Sequence, residues 1–422
     1  MSKHDLHLPT DRGSETARER FEGAGAIEQL AGILPGKSRR KSRNVFVVHG
    51  KSFGASGARA ALERIQNIEL HSCERRGNNP DVRSVASAYS AYRAFQPDVM
   101  IAAGGGAAID TAKAILVYAF GYSRNTVFSG ENRIPEDRPL FVAIPTTAGS
   151  GSEETHFALV VRDGMEIALA HGRLRPDIVV LDPALTFSCP EAATLSCAAG
   201  AICQCVESWW AAVGGDVTAE RADSTAGDDR TAPHGGDRAA ASDASTTARE
   251  HAERGLSLLL PGVFAAVETP EDIEIRERLL SGANAAGRGA DITGAGTGHV
   301  LSSGLAGGFG VPHGLAHLAV MQQLIAQAGE NTRSGLQGLD RAFAEWGDDF
   351  ASGFDRFAEA IWQRVELAAF FSDVDARSYA RALRQLVKSV NEESLGGGPV
   401  ALDAEAVRSI YERLLARHAA GR

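Results

Sequence analysis

Two glycine-rich stretches carry residue types suited to holding a phosphorylated ligand. In the first, Gly104, Gly105 and Gly106 follow the apolar run DVMIAA and lead into AAIDTAKAILVYAF. Glycines there let the backbone approach a pyrophosphate, and the N–H groups at the start of the new helix stabilise the anion. The pattern is not GxGxxG, and a tight turn chosen for packing is the competing explanation. Asp110 and Lys113 follow one turn later on an otherwise Ala/Ile-rich segment, at the spacing of an ordinary i,i+3 pair; Asp110 is also a candidate cofactor contact. The second stretch, AIPTTAGSGSEETHFAL, runs from a strand into Thr146, Thr147, Ser150 and Ser152 among glycines. Hydroxyls and amides in that position suit ribose, phosphate or nicotinamide contacts at the carboxyl end of a parallel sheet. A polar loop without a ligand is the alternative, but the two stretches together favour a nucleotide or dinucleotide site.

The elements that position these loops are legible in the apolar pattern. NVFVVHG, DVMIAAGGG, PLFVAIPTT and DIVVLD are apolar throughout rather than alternating, as in parallel strands covered by helices on both faces. Helical spacing follows the first two. After Pro190 such runs cease, and the text from EAATLSCAAGAICQCVESWWAAV to AVRSIYERLLARHAA has helical spacing. The expected class is α/β plus all-α: residues 1–20 a flexible arm, 21–187 a Rossmann-like parallel-sheet domain, 188–422 an all-helical domain. Within the latter, residues 214–248 are dominated by Gly, Ala, Ser, Thr and Asp. They bury too little to offset ordering entropy, so a disordered insertion is expected.

Composition narrows the partners. Over 422 residues, 43 basic side chains face 53 acidic ones for a net charge of −10, which argues against a nucleic-acid or anionic-membrane binder. The basic run KSRRKSR reads as a solvated loop. No stretch reaches the ~18 apolar residues of a membrane span, and the opening lacks the apolar core of a signal peptide. Five cysteines without CxxC spacing suit a reducing compartment. A cytoplasmic protein with a small-molecule ligand is expected, without nucleic acid or membrane; a homo-oligomer, a dimer, is the expected assembly.

GGGAAIDTAKA, IPTTAGSGSE, PDIVVLDPALT and FGVPHG, in this order and spacing, resemble the iron-containing (group III) alcohol dehydrogenases over roughly Phe21 to Leu415. The resemblance implies the dehydroquinate synthase-like fold, an NAD(P) site in the first domain and an active site in the cleft between domains. THFALVV, QCVESWW and GGPVALDAEAV look most similar to phosphonoacetaldehyde reductases of phosphonate natural-product biosynthesis.

The metal pattern of that family, GMDALxHAxE followed by two histidines 14 positions apart, is met only in part. Gly200 stands for the Asp and Gln204 for the first His, while His299 and His313 match the other two. The resemblance therefore implies an incomplete site at His299 and His313, with iron or zinc disfavoured, since catalytic metals take three protein ligands or more. Cys203 and Cys205 on the same helix open a rebuilt thiolate site, with buried structural thiols as the commoner outcome. Without metal, His299 and His313 are the candidates to polarise the carbonyl, helped by Gln204. His317, one turn after His313, reads as a cleft wall.

The turn after the first strand, Gly50-Lys51-Ser52, lacks the Asp expected of NAD-preferring relatives and would admit a 2′-phosphate, so NADPH is favoured over NADH. Gly294 occupies the position of an Arg suited to phosphonate, with Arg288 and His156 as compensating candidates. The implied reaction is reduction of a small aldehyde or ketone, with phosphonoacetaldehyde to 2-hydroxyethylphosphonate as the named case. The missing ligands keep two rivals open: a lapsed paralogue serving as a nucleotide-binding or assembly subunit, and a metal-free lyase or isomerase.

Overall fold

The computed structural model describes residues 19–35, 42–75, 80–120, 134, 138–162, 165–214, 235–328, 335–365, 370 and 402–419. The apolar runs form a six-stranded parallel sheet. Its strands are β1 (Glu19–Glu22), β2 (Arg43–His49), β3 (Ile68–Glu74), β4 (Val99–Gly104) and β5 (Leu140–Pro145), completed by β8 (Ile178–Leu181). The spatial order is β1-β8-β5-β4-β2-β3. Alternate residues of each central strand enter separate cores. Phe46, Val48, Met100, Ala102, Phe141 and Ala143 pack on one face, and Val45, Val47, Val99, Ile101, Val142 and Ile144 on the other. Burial on both faces is why these strands lack polar alternation. β3 lies at the edge and alternates in exposure.

Helix α1 (Val82–Phe95) is capped by Asp81, whose side chain accepts from the N–H groups of Arg83 and Ser84. Helix α2 (Gly106–Phe120) follows β4 directly. After β2 and β3 the chain returns past β2 to lay down β4, then continues to β5 and β8. The order therefore reverses between β2 and β4, and the loops leaving their carboxyl ends diverge there, the usual ligand position of an open parallel sheet. A two-stranded antiparallel hairpin, β6 (Phe157–Arg162) and β7 (Met165–Ala170), interrupts the sheet between β5 and β8.

The second half is helical: α3 (Glu191–Gly214), α4 (Gly235–Gly262), α5 (Ile273–Thr293), α6 (Thr297–Phe309), α7 (His313–Gln327), α8 (Phe350–Trp362) and α9 (Ala404–Ala419). Their apolar faces share one core around α3 and α7. Close packing depends on glycines. A Cβ on Gly200 would lie 3.0 Å from the Cα of Gly314, so α3 and α7 meet backbone to backbone. No helix among the described residues is long and apolar enough to cross a membrane.

Two boundaries differ from the sequence expectation. Glu19 and Arg20 belong to β1, paired with Ile178 and Val179, rather than to a flexible arm; a four-residue edge strand is too short to show periodicity. Of the expected insertion, residues 235–248 lie in α4, where Thr246 and Thr247 return their hydroxyls to the carbonyls of Ser242 and Asp243. Ala248 and Ala252, both fully buried, seat this helix, so small residues suffice where neighbouring helices approach closely. Residues 1–18 and 215–234 lie outside the described residues.

Candidate active site

Three loops converge beyond the carboxyl ends of β2, β4 and β5. The N–H of Gly50 donates to the carbonyl of Ala103 (3.2 Å), the N–H of Thr146 to that of Gly104 (3.0 Å), and the hydroxyls of Ser52 and Thr146 lie 3.1 Å apart. The glycine triplet is what lets them close. A Cβ on Gly105 would fall 2.9 Å from Thr147 Oγ1, one on Gly106 2.5 Å from Ser150 Oγ, and one on Gly104 3.1 Å from the backbone N of Gly50. Gly50, Ser52, Gly104, Gly105, Gly106, Thr146, Thr147 and Ser150 are thus brought together at the start of α2. Lys51 is exposed beside them.

Asp110 and Lys113 do not form an isolated pair. Lys113 is fully buried, and its ammonium donates to the carbonyls of Ser152 (2.7 Å), Thr155 (2.7 Å) and Phe157 (2.8 Å) and to Thr155 Oγ1 (2.9 Å). It pins the descending end of the Thr146–Ser152 loop to the start of β6. Asp110 reaches β6 as well, its Oδ2 accepting the N–H of Leu159 (3.3 Å). Burial pushes its carboxyl up to about 6, against the pull of Lys113 and the Leu159 amide.

The other half of the site is built on helices. Gln204, on α3, donates its amide to the carbonyl of Ser150 (3.2 Å), while its buried Oε1 meets no partner. One turn on, Glu207 ties three helices together. Its Oε1 accepts the N–H of Gly298 (2.6 Å) and of His299 (3.3 Å) at the N-terminus of α6, and its Oε2 meets His317 Nε2 of α7 at 2.9 Å. Carboxylates suit that helix end, whose first N–H groups have no intrahelical acceptor. A Cβ on Gly298 would sit 2.9 Å from Glu207 Oε1, so this glycine admits the carboxylate.

His299, His313 and His317 face one another, with ring centroids 4.5 Å apart for the first two and 5.3 Å for His299 and His317. One nitrogen from each ring lies within 4.8 Å of the others. Nε2 of both His299 and His313 is buried without a partner. Burial, with the neighbouring imidazoles, holds His299 well below the ordinary histidine range and His313 down to about 3. Both rings are therefore neutral.

Position 200 carries no donor, and Gln204, whose amide nitrogen is given to Ser150, offers only a neutral Oε1, so the carboxylate and the imidazole of the resembled pattern are both absent. The four-ligand arrangement does not fit. Cys203 and Cys205 are both buried, and neither joins the group of three imidazoles that is the metal-type cluster found among the described residues. Gly294 ends α5 with φ 77°, a conformation that disfavours an Arg there. His156 and Arg288 are both engaged: His156 Nδ1 lies 2.7 Å from Asp291 Oδ1, and Arg288 Nε lies 3.5 Å from Glu154 Oε2.

Sequence reading missed Glu207 and gave His317 only a wall role. The i,i+4 spacing of His313 and His317, which puts both imidazoles on one helical face, is the signal that was present. Nothing local marks Glu207, whose partners are 91 and 110 residues away.

Residues 17–183 match the family model of iron-containing alcohol dehydrogenases, and residues 241–415 match the C-terminal model of the Fe-containing alcohol dehydrogenase family. A 1-propanol dehydrogenase of Salmonella typhimurium is 27% identical over 80% of this chain and 83% of its own length. A sulfoacetaldehyde reductase of Bilophila wadsworthia is 26% identical over 61% and 68%. Among solved structures, sulfoacetaldehyde reductase from Bifidobacterium kashiwanohense in complex with NAD+ superposes with a TM-score of 0.71 at 19% identity, covering 98% of this chain and 99% of that one. The iron-containing alcohol dehydrogenase of Thermotoga maritima gives 0.70 at 21%, covering 97% and 99%.

Proposed function

The chain belongs to the iron-containing alcohol dehydrogenase family, oxidoreductases of aldehydes and alcohols, and from that premise we propose that it reduces a small aldehyde or ketone with NADPH. The observation that carries the reading is the bond from Gln204 to the carbonyl of Ser150, because it joins the nucleotide loops to the helix beside the histidine cluster. Residues 21–187 are taken as the nucleotide-binding unit and 188–422 as the helical unit that completes the cleft.

When bound, NADPH would supply a hydride to the carbonyl carbon, and the carbonyl oxygen would take its proton from solvent. The turn Gly104–Gly106 and the start of α2 hold the pyrophosphate, with Thr146, Thr147 and Ser150 as hydroxyl contacts. Gly50 leaves room for a 2′-phosphate, and Lys51 and Ser52 attract it. Lys113 and Asp110 fix the loop from beneath. The partnerless Oε1 of Gln204 is placed to accept from the hydroxyl of the alcohol product or from the carboxamide of the nicotinamide. His299 and His313, being neutral, each keep one N–H for the developing alkoxide, in a site dry enough for such a bond to count. The four-ligand metal that the family implies has no complete ligand set here, since position 200 is glycine and position 204 glutamine.

The named substrate is phosphonoacetaldehyde, reduced to 2-hydroxyethylphosphonate. It is supported by the motif likeness and by a relative named for sulfoacetaldehyde, which also carries a tetrahedral anion on a two-carbon aldehyde. A neutral aldehyde such as propanal is the second reading, favoured by the pairing of Arg175 with Asp291 (2.6 Å) and of Arg288 with Glu154. NADPH oxidation against both aldehydes, with and without chelator, tests the proposal. A kcat/KM at least tenfold higher for phosphonoacetaldehyde upholds the first reading, and the reverse upholds the second. Binding of NADPH with no turnover of any aldehyde overturns both in favour of a lapsed paralogue.

A further inference from the structure

We propose that His299, His313 and His317 form a three-imidazole site for a zinc-type divalent ion, in which His317, one turn along α7 from His313, stands in for the two donors that α3 lacks at positions 200 and 204. The observation is geometric. Three rings from two helices turn one nitrogen each into a space no wider than 4.8 Å, and His299 and His313 leave Nε2 atoms buried with no hydrogen-bond partner. Buried ring nitrogens without a partner are costly in an apolar interior, and with the ring proton on Nδ1 each Nε2 lone pair is free for a metal ion.

Glu207 completes the arrangement from behind. An ionised carboxylate only accepts, so His317 must donate its Nε2–H across the 2.9 Å contact. In the neutral ring Nδ1 is then the lone-pair nitrogen. A carboxylate on the far nitrogen of a ligating histidine orients the ring and raises its basicity. Glu207 is not itself a ligand, since both its oxygens are committed, Oε1 to the amides of Gly298 and His299 and Oε2 to His317. An all-nitrogen set without a carboxylate or water cage suits Zn(II), Co(II) or Ni(II) and disfavours Mg(II) and other oxygen-seeking ions. Three histidines leave the fourth tetrahedral position open, as in catalytic zinc sites. Zn–N bonds of about 2.0–2.1 Å place ligand nitrogens closer together than the widest pair here, so an ion draws the rings inward through their χ angles. The site exists independently of the reductase reading; only its use in catalysis rests on it.

The test strips the full-length protein with chelator, then titrates it with Zn(II) and separately with Co(II). Metal content is read by elemental analysis, and Co(II) by the visible absorption of four-coordinate nitrogen complexes. One equivalent per chain is expected, with a metal-dependent rise in melting temperature. His317→Ala is expected to abolish the Co(II) band, Glu207→Gln to weaken affinity about 10–100-fold, and Gln204→Ala to leave both unchanged. Far-UV circular dichroism and NADPH binding establish that each variant is folded. His317→Gln, which keeps bulk at the position, stands in if the alanine variant does not fold. A folded wild-type protein that takes up no ion overturns the proposal, as does binding that survives both changes at His317. Metal uptake without NADPH turnover sinks the reductase reading and keeps the site; turnover by a protein that takes up no ion keeps the reductase reading and sinks the site.

Discussion

The two ends of the cleft are built on different principles. At the sheet end, Gly104–Gly106 and Thr146–Ser152 lie on single connections directly after β4 and β5, and short-range geometry alone brings them together. At the helical end, the cluster needs α3, α6 and α7 at once, and its hub is one carboxylate, Glu207. The first is a local motif held by a lysine beneath it. The second is a packing product held by glycine contacts between helices. Damage to the first should therefore act mainly on nucleotide affinity, and damage to the second on stability and metal uptake.

The strongest way to separate them is Gly314→Ala. A Cβ there would overlap the carbonyl oxygen of Ser196, a backbone atom that cannot swing aside. Overpacking against backbone is expected to cost about 3 kcal/mol or more, read from denaturant midpoints. An unchanged midpoint would show that α3 and α7 are not held backbone to backbone. Next comes Lys113→Met, which leaves three carbonyls and a hydroxyl beneath the Thr146–Ser152 loop without their buried cation. About 2–3 kcal/mol of stability should go, by the worth of hydrogen bonds to a charged group. NADPH affinity, followed by fluorescence, should fall with it while Zn(II) uptake persists. Loss of metal before loss of nucleotide would erase the contrast between the ends.

The same contrast explains what the sequence made legible. Buried parallel strands announce themselves as unbroken apolar runs, so NVFVV, DVMIAA and DIVVLD placed the sheet and its loops. The hairpin β6–β7 did not stand out, because THFALVV reads like another buried strand and its partner alternates weakly. Sequence motifs likewise gave His299, His313 and Gln204, but not that Gln204 faces Ser150 or that Glu207 clasps His317. Those facts depend on helix crossings set by residues such as Gly200, which read as a lost ligand and is also a packing contact.

At the seam between the two ends, Asp291 of α5 joins His156 and Arg175. Burial pushes its carboxyl up, but bonds and charge from His156 and Arg175 outweigh that and bring it down to about 2 from 3.8. A depressed acid contributes stability that is fully present above its unfolded value and lost as pH falls through its folded one. The window is therefore about pH 4 down to 2, and the contribution about 2 kcal/mol. Asp291→Asn should flatten the acid limb of the stability curve over that interval, measured by denaturant titration at stepped pH. An identical limb would mean that the seam is not held by this carboxylate.

The smallest effect expected is from the change that is most constructive on sequence grounds, Gly200→Asp combined with Gln204→His, which restores the family's donor types. Packing opposes it. The new Cβ would sit 3.0 Å from the Cα of Gly314, tighter than ordinary contact, and histidine at 204 would give up the bond to Ser150 that joins the two ends. A cost of about 1 kcal/mol is expected, as for mild overpacking, with no gain in Fe(II) affinity and retention of one Zn(II) at the three imidazoles. Tight Fe(II) binding by the double variant would show that α3 and α7 part easily. The helical end would then obey donor type alone, as the sheet end obeys its local motifs, and the difference between the two would lie in ligand identity rather than in how the helices pack.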